Sequence, residues 1–191
     1  AHDGVLITGA ETMSNTVLGN YVGTNASGTA ALPNGLHGLE LTHGTHDNLV
    51  GGDAAGEGNL LSGNLNHGLL LYEGAHHNAI WGNVIGPDAT GSYSLGHQPW
   101  GGIDVAEGAH HNWIGGTEPG QGNLISGNQT DGIALFHTTV GYTTSHNHVV
   151  GNRIGLALHT DQPLSNGQHG ILNGDRAVHT HIQSNTIAYH D

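Results

Sequence analysis

NLVGGDAAGEGNLLSGN occupies residues 48–64, and NWIGGTEPGQGNLISGN repeats its pattern at residues 112–128. Each copy holds an asparagine, two apolar residues, a glycine-rich loop, a second asparagine, two apolar residues and Ser-Gly-Asn. Apolar runs this short cannot form a sandwich by themselves. Stacked on copies of themselves, they can share one core, which is the physical logic of a solenoid.

Working outward, a glycine followed by apolar residues opens every unit. It occurs as Gly4-Val-Leu-Ile7, Gly38-Leu-Glu-Leu41, Gly68-Leu-Leu-Leu71, Gly102-Ile-Asp-Val105, Gly132-Ile-Ala-Leu135 and Gly170-Ile-Leu-Asn173. The starts are 34, 30, 34, 30 and 38 residues apart. The spacing predicts about six turns of an all-β, right-handed parallel β-helix with three short strands per turn, read as a single unit over residues 1–191. Turns would stack about 4.8 Å apart, and the handedness follows the general preference of parallel crossovers. In the first strand the outer two positions, such as Leu39 and Leu41, should face inward and the middle one outward. Long turns carry an insertion after the third strand (residues 24–34 and 87–100). Short turns carry it before that strand (residues 53–58 and 117–122).

Two asparagine columns mark the corners: Asn20, Asn59, Asn83, Asn123, Asn152 and Asn185, then Asn15, Asn48, Asn78, Asn112 and Asn147. Asparagine tolerates the left-handed bend conformation, and its amide can bond the copy on the next turn. The runs NTVLGNYVG (15–23) and TNASGTAALPN (24–34), together with the 48–64 and 112–128 copies, resemble parallel β-helix repeat proteins of bacterial and archaeal cell envelopes. These share the pectate-lyase-like superfamily fold. The resemblance implies an extracellular or cell-surface protein. It names no enzyme, because the class holds large surface proteins alongside polysaccharide lyases, hydrolases and epimerases.

Composition narrows the partners. Lysine is absent, Arg153 and Arg176 are the only arginines, and 15 acidic residues give a net charge of −13 at pH 7. Such a chain repels nucleic acid and anionic lipid. No segment has the length or apolarity of a membrane span. Cysteine is absent, so no disulfide staples the fold. The start, Ala1 to Gly4, reads as processed or excised, and neither end shows an obvious cap.

For chemistry, a lyase-like site needs a base beside a cation, and Arg153 and Arg176 share no face. A glycosidase needs two carboxylates at a fixed separation. Glu40 and Asp104 share the outward column of the first strand two turns apart, about 9.6 Å by the rise, and are weak catalytic candidates. Tyr93 and Trp100 could form a small sugar platform. Eighteen histidines fall into columns. His76, His77, His110 and His111, with Glu73 and Glu107 nearby, suit zinc, copper or nickel, although the fold requires no cofactor. Asn25-Ala-Ser27 and Asn128-Gln-Thr130 match the N-glycosylation pattern.

The pattern points away from an enzyme. It favours a structural or adhesive segment of a secreted protein that associates with copies of itself or with neighbouring domains of a longer chain. A carbohydrate-binding or polysaccharide-processing helix and a metal-binding histidine surface are the alternatives.

Overall fold

The computed structural model describes residues 2–97, 99–139 and 141–190. The chain winds into three parallel six-stranded sheets, with one strand of each sheet per turn. The first sheet stacks Val5–Thr8, Leu39–Thr42, Leu69–Leu71, Ile103–Val105, Ile133–Leu135 and Ile171–Asn173. The second begins with Thr16–Val17 and ends with His181–Gln183. The third runs from Tyr21–Val22 to Thr186–Ile187. A two-stranded ladder, Thr144–Ser145 with Ala177–Val178, extends the stacking at one corner.

The alternation expected of the first strand is present. Leu39, Leu69, Ile103 and Ile133 are in register, as are Leu41, Leu71, Val105 and Leu135, and all eight are fully buried. Val50, Ile80, Ile114 and Val149 supply the second wall of the core. Leu61, Ile85, Ile125 and Ile154 supply the third. Short strands suffice because each strand of the inner turns is paired above and below, and apolar burial at roughly 25 cal/mol per Å² accumulates turn by turn.

Both asparagine columns form continuous ladders. In one, Asn59 Nδ2 donates to Asn83 Oδ1 at 3.0 Å, and Asn83 Nδ2 donates to Asn123 Oδ1 at 3.0 Å. In the other, Asn48 bonds Asn78, Asn78 bonds Asn112, and Asn112 bonds Asn147. The backbone N–H of each asparagine donates to the same oxygen of the next.

A third corner column was not apparent from the sequence: Asn34, Asn64, His97, Asn128 and Asn166. Asn34 donates to Asn64, and Asn128 donates to Asn166. His97 stands where an asparagine would complete the ladder, 0% exposed. Its Nε2 donates to the Leu61 carbonyl at 3.0 Å. The amides of Asn64 and Asn128 donate in the same way to Val22 and Ile85.

Burial of Asn128 within this column leaves its amide inaccessible in the folded chain, so its sequon is not a usable surface site. Asn25 instead organises its own loop, accepting from the backbone N–H of Thr29 and Ala30. Each loop after the third strand closes on a small antiparallel bridge: Thr24 with Ala31, Pro87 with Ser94, and Leu156 with Pro163.

Candidate functional site

The residue just before each first-strand glycine forms a column of Asp3, His37, His67, Gly101, Asp131 and His169. Backbone bonds fix it: the N–H of Gly4 donates to His37 O, Gly38 to His67 O, Gly68 to Gly101 O, Gly102 to Asp131 O and Gly132 to His169 O. Beside it runs the outward column of the first sheet: Leu6, Glu40, Leu70, Asp104, Ala134 and Leu172. Ionisable groups on these two columns meet in three places.

At the first, Asp3, His37 and Glu40 each present a ligand atom within 4.8 Å of the others, so this triad could coordinate a metal. The backbone N–H of His37 donates to Asp3 Oδ1 at 3.1 Å. Burial, then the neighbouring His67, pulls the His37 imidazole down to about 4 against the opposing pull of Asp3 and Asp104. Its buried Nδ1 has no hydrogen-bond partner. Burial, then the Asp3 carboxylate, pushes Glu40 up.

At the second, His67 stacks on His37 with centroids 5.1 Å apart, and its Nδ1 lies 3.4 Å from Asp104 Oδ1. That separation is an electrostatic contact too long for a good hydrogen bond. The Trp100 ring lies over His67, centroids 5.2 Å apart. At the third, Asp131 Oδ1 accepts from His169, from the ring Nδ1 at 2.8 Å and the backbone N–H at 3.0 Å.

Between the second and third lies a cleft of about 280 Å³. It opens where the columns lose their side chains: Gly101 follows His67 in one, and Ala134 follows Asp104 in the other. Trp100, Asp104, Asp131, Phe136 and Leu172 stand around it. A β-carbon at Gly101 would come within 2.7 Å of the Asp131 carbonyl, so the gap also depends on glycine.

Glu40 and Asp104 do share one column with Leu70 between them, but the structure sends each to different neighbours. Glu40 joins Asp3 and His37. Asp104 is not a solvated surface carboxylate; it is 6% exposed, in the cleft beside Trp100. Trp100 is 48% exposed and stands among the residues around the cleft. Tyr93, 73% exposed, sits on the loop closed by Pro87 and Ser94 and does not line the cleft.

Glu73 and Glu107 turn away from the paired histidines. Glu73 meets His43 Nε2 at 2.9 Å. Glu107 accepts from the backbone N–H and hydroxyl of Thr138, both at 2.7 Å, and from the N–H of Thr139. Burial pushes Glu107 up, but these bonds outweigh it and hold the carboxyl below its usual range. Both arginines are engaged as well. Arg153 binds the Ala157 and Thr160 carbonyls and Asp161, and Arg176 binds His137 Nε2.

Asp3 and Asp131 were not joined in the sequence reading to the column of His37, His67 and His169. Their position directly before Gly4 and Gly132 was the available signal. No helix among the described residues is long and apolar enough to cross a membrane. The three-sheet parallel solenoid is consistent with the pectate-lyase-like superfamily fold; no family model, no curated protein and no solved structure matches the chain.

Proposed function

We propose that this chain is a non-enzymatic scaffold segment of a secreted or cell-surface adhesive protein, and that its first-sheet cleft holds a glycan. One observation carries the reading: a half-exposed Trp100 ring stands at the rim of a cleft containing the buried Asp104 carboxylate, with Asp131 on the far side of the Gly101 gap. An indole face packs against the apolar face of a pyranose, and carboxylates accept from its hydroxyls. Two carboxylates in the cleft and a net charge of −13 favour neutral or amino sugars over uronates.

Intrinsic fluorescence tests this. Untagged protein is titrated with neutral, amino and uronic oligosaccharides, alongside Trp100→Ala. The expected result is saturable quenching by a neutral or amino oligosaccharide that Trp100→Ala abolishes while its melting temperature stays close to wild type. No response to any sugar, or an equal response in the variant, overturns the reading. New reducing ends in the same mixtures would replace binding with polysaccharide processing.

Adhesion also needs continuity along the fibre axis. Among the described residues, the first and last strands of each six-stranded sheet have one unpaired edge, a template for another strand. Another copy, or the adjoining segment of a longer chain, is the natural partner. Negative-stain micrographs at neutral pH check self-association: filaments support it, and discrete short rods refute it.

A further inference from the structure

Outside the cleft, the first bend carries a feature unrelated to sugar. Two columns run side by side there. One holds His46, His76 and His110, joined by parallel bridges. The other holds Asp47, His77, His111 and His146, all with φ of 54–55°. Adjacent residues of an extended chain point to opposite faces. The left-handed residue breaks that rule and brings both side chains of the pair together. His76 Nδ1 lies 2.8 Å from His77 Nδ1, and His110 Nδ1 lies 2.9 Å from His111 Nδ1. One turn lower, Asp47 takes the second place and His46 Nδ1 meets its carboxylate at 2.7 Å.

The pairs repeat in depth. His76 stacks on His110 at 4.8 Å with planes 4° apart, and His77 stacks on His111 at 5.1 Å. The next residues, Asn78 and Asn112, are fully buried ladder members, so the bends that carry the pairs are held rigidly. His77 and His111 are exposed and their partners half-buried, leaving the facing nitrogens open to an ion.

The separation bears on which ion the pair can take with least rearrangement. Two imidazole nitrogens at 2.0–2.1 Å from one ion lie about 2.8–3.0 Å apart at a right angle, and about 3.3–3.4 Å apart at the tetrahedral angle. The observed 2.8 and 2.9 Å are the lengths of an N–H···N hydrogen bond, and they already fall within the bite of a right-angled chelate, so tetragonal copper(II) or nickel(II) needs less movement of the pair than tetrahedral zinc. We infer that His76–His77 and His110–His111 are two stacked chelate sites for such an ion, each formed by the facing Nδ1 atoms. Water completes the coordination. In the ion-free pair one Nδ1–H donates to the other Nδ1. On binding, that proton moves to Nε2 of the same ring, so a neutral pair releases none.

Copper(II) alone, added to untagged protein, is the test. Bound copper is counted after gel filtration, and electron paramagnetic resonance reads its ligands. Asparagine tolerates the left-handed bend, so His77→Asn/His111→Asn preserves the backbone, and a thermal melt verifies it. Wild type is expected to retain two more equivalents than the double variant, and His77→Asn alone to lose one. Nitrogen superhyperfine structure should accompany the lost equivalents. Two ions one stacking distance apart should also show mutual dipolar broadening, absent from the single variant. Equal copper content with the same spectrum in wild type and double variant would overturn the inference.

Discussion

In each middle turn three successive residues occupy three columns: His76, His77 and Asn78, then His110, His111 and Asn112. The two histidines face outward and the asparagine faces inward, and all repeat at the same rise. An amide carries both donors and an acceptor, so Asn78 Nδ2 reaches Asn112 Oδ1 at 3.0 Å, and every added turn adds bonds to the last. Stacked imidazoles present faces to each other and no donor. Their hydrogen bonds run sideways, within one turn. The asparagine column therefore ties turns together, whereas the histidine column lies on that frame and leaves its nitrogens available. The same periodicity yields a structural ladder on one side of a bend and an ionisable array on the other.

The sharpest break of that comparison is Asn83→Ala. Asn83 Oδ1 accepts from the backbone N–H and side chain of Asn59, and its amide donates to Val50 O and Asn123 Oδ1. Alanine leaves the buried N–H of Asn59 without an acceptor and removes the other contacts. Orphaning one buried donor costs about 1–3 kcal/mol, so the whole site should cost roughly 3 kcal/mol or more. Chemical denaturation should show a midpoint far below wild type with an unchanged slope. A loss under 1 kcal/mol would mean the ladder is decoration on a core that needs no help.

His97 tests the comparison from the other direction, since it is an imidazole placed inside an asparagine column. Burial pulls it down to about 3, against the bond to Leu61 and with a smaller contribution from His67. The folded state thus resists a proton that the unfolded chain accepts near 6.5. Its stabilising effect is complete above pH 6.5 and falls away as pH drops toward 3. Each unit in that window costs about 1.4 kcal/mol, so roughly 2 kcal/mol is lost at pH 5. His97→Asn should flatten this slope. It should also give the buried Asn128 Oδ1, which lacks a partner, a donor. Parallel stability-against-pH curves for variant and wild type would refute the assignment.

These two sites also mark how far the sequence could be read. The solenoid and two ladders were legible because glycine, apolar and asparagine positions recur close to each strand. The third ladder was not. Asn34 follows Val22 by 12 residues but Asn64 follows Leu61 by 3, and His97 interrupts the run chemically. The cleft was half legible. Asp104 and Trp100 could be named as candidates, but Asp104 could be placed only on the outward column, because nothing in the sequence places the loop ending at Trp100 beside it. Tyr93 belongs to the same insertion and ends elsewhere. His76 and His77 could be grouped as candidate ligands, but the pairing of their Nδ1 atoms within one turn could not be read, because alternation predicts opposite faces and only the left-handed φ of His77 reverses that.

The smallest expected effect is the most telling for the outer columns. If they lie on the frame without supporting it, His77→Asn/His111→Asn should leave stability at pH 7.5 within about 0.5 kcal/mol of wild type, the range of surface substitutions. Both positions keep a residue that accepts the left-handed bend. On acidification the sign should favour the variant. Burial, then the neighbouring His146 and His77, pulls His111 below its usual range, and burial, then His76 and His111, holds His110 at about 4. Groups held down in this way lose their stabilising effect as pH falls below 6.5, so removing His111, and with His111 and His77 two of the neighbours that hold His110 down, should raise the melting temperature at pH 5 relative to wild type. Thermal melts of both proteins at pH 7.5 and pH 5 decide it. A destabilisation at pH 7.5 approaching that of Asn83→Ala would show that the stacked imidazoles bear structure as the amides do.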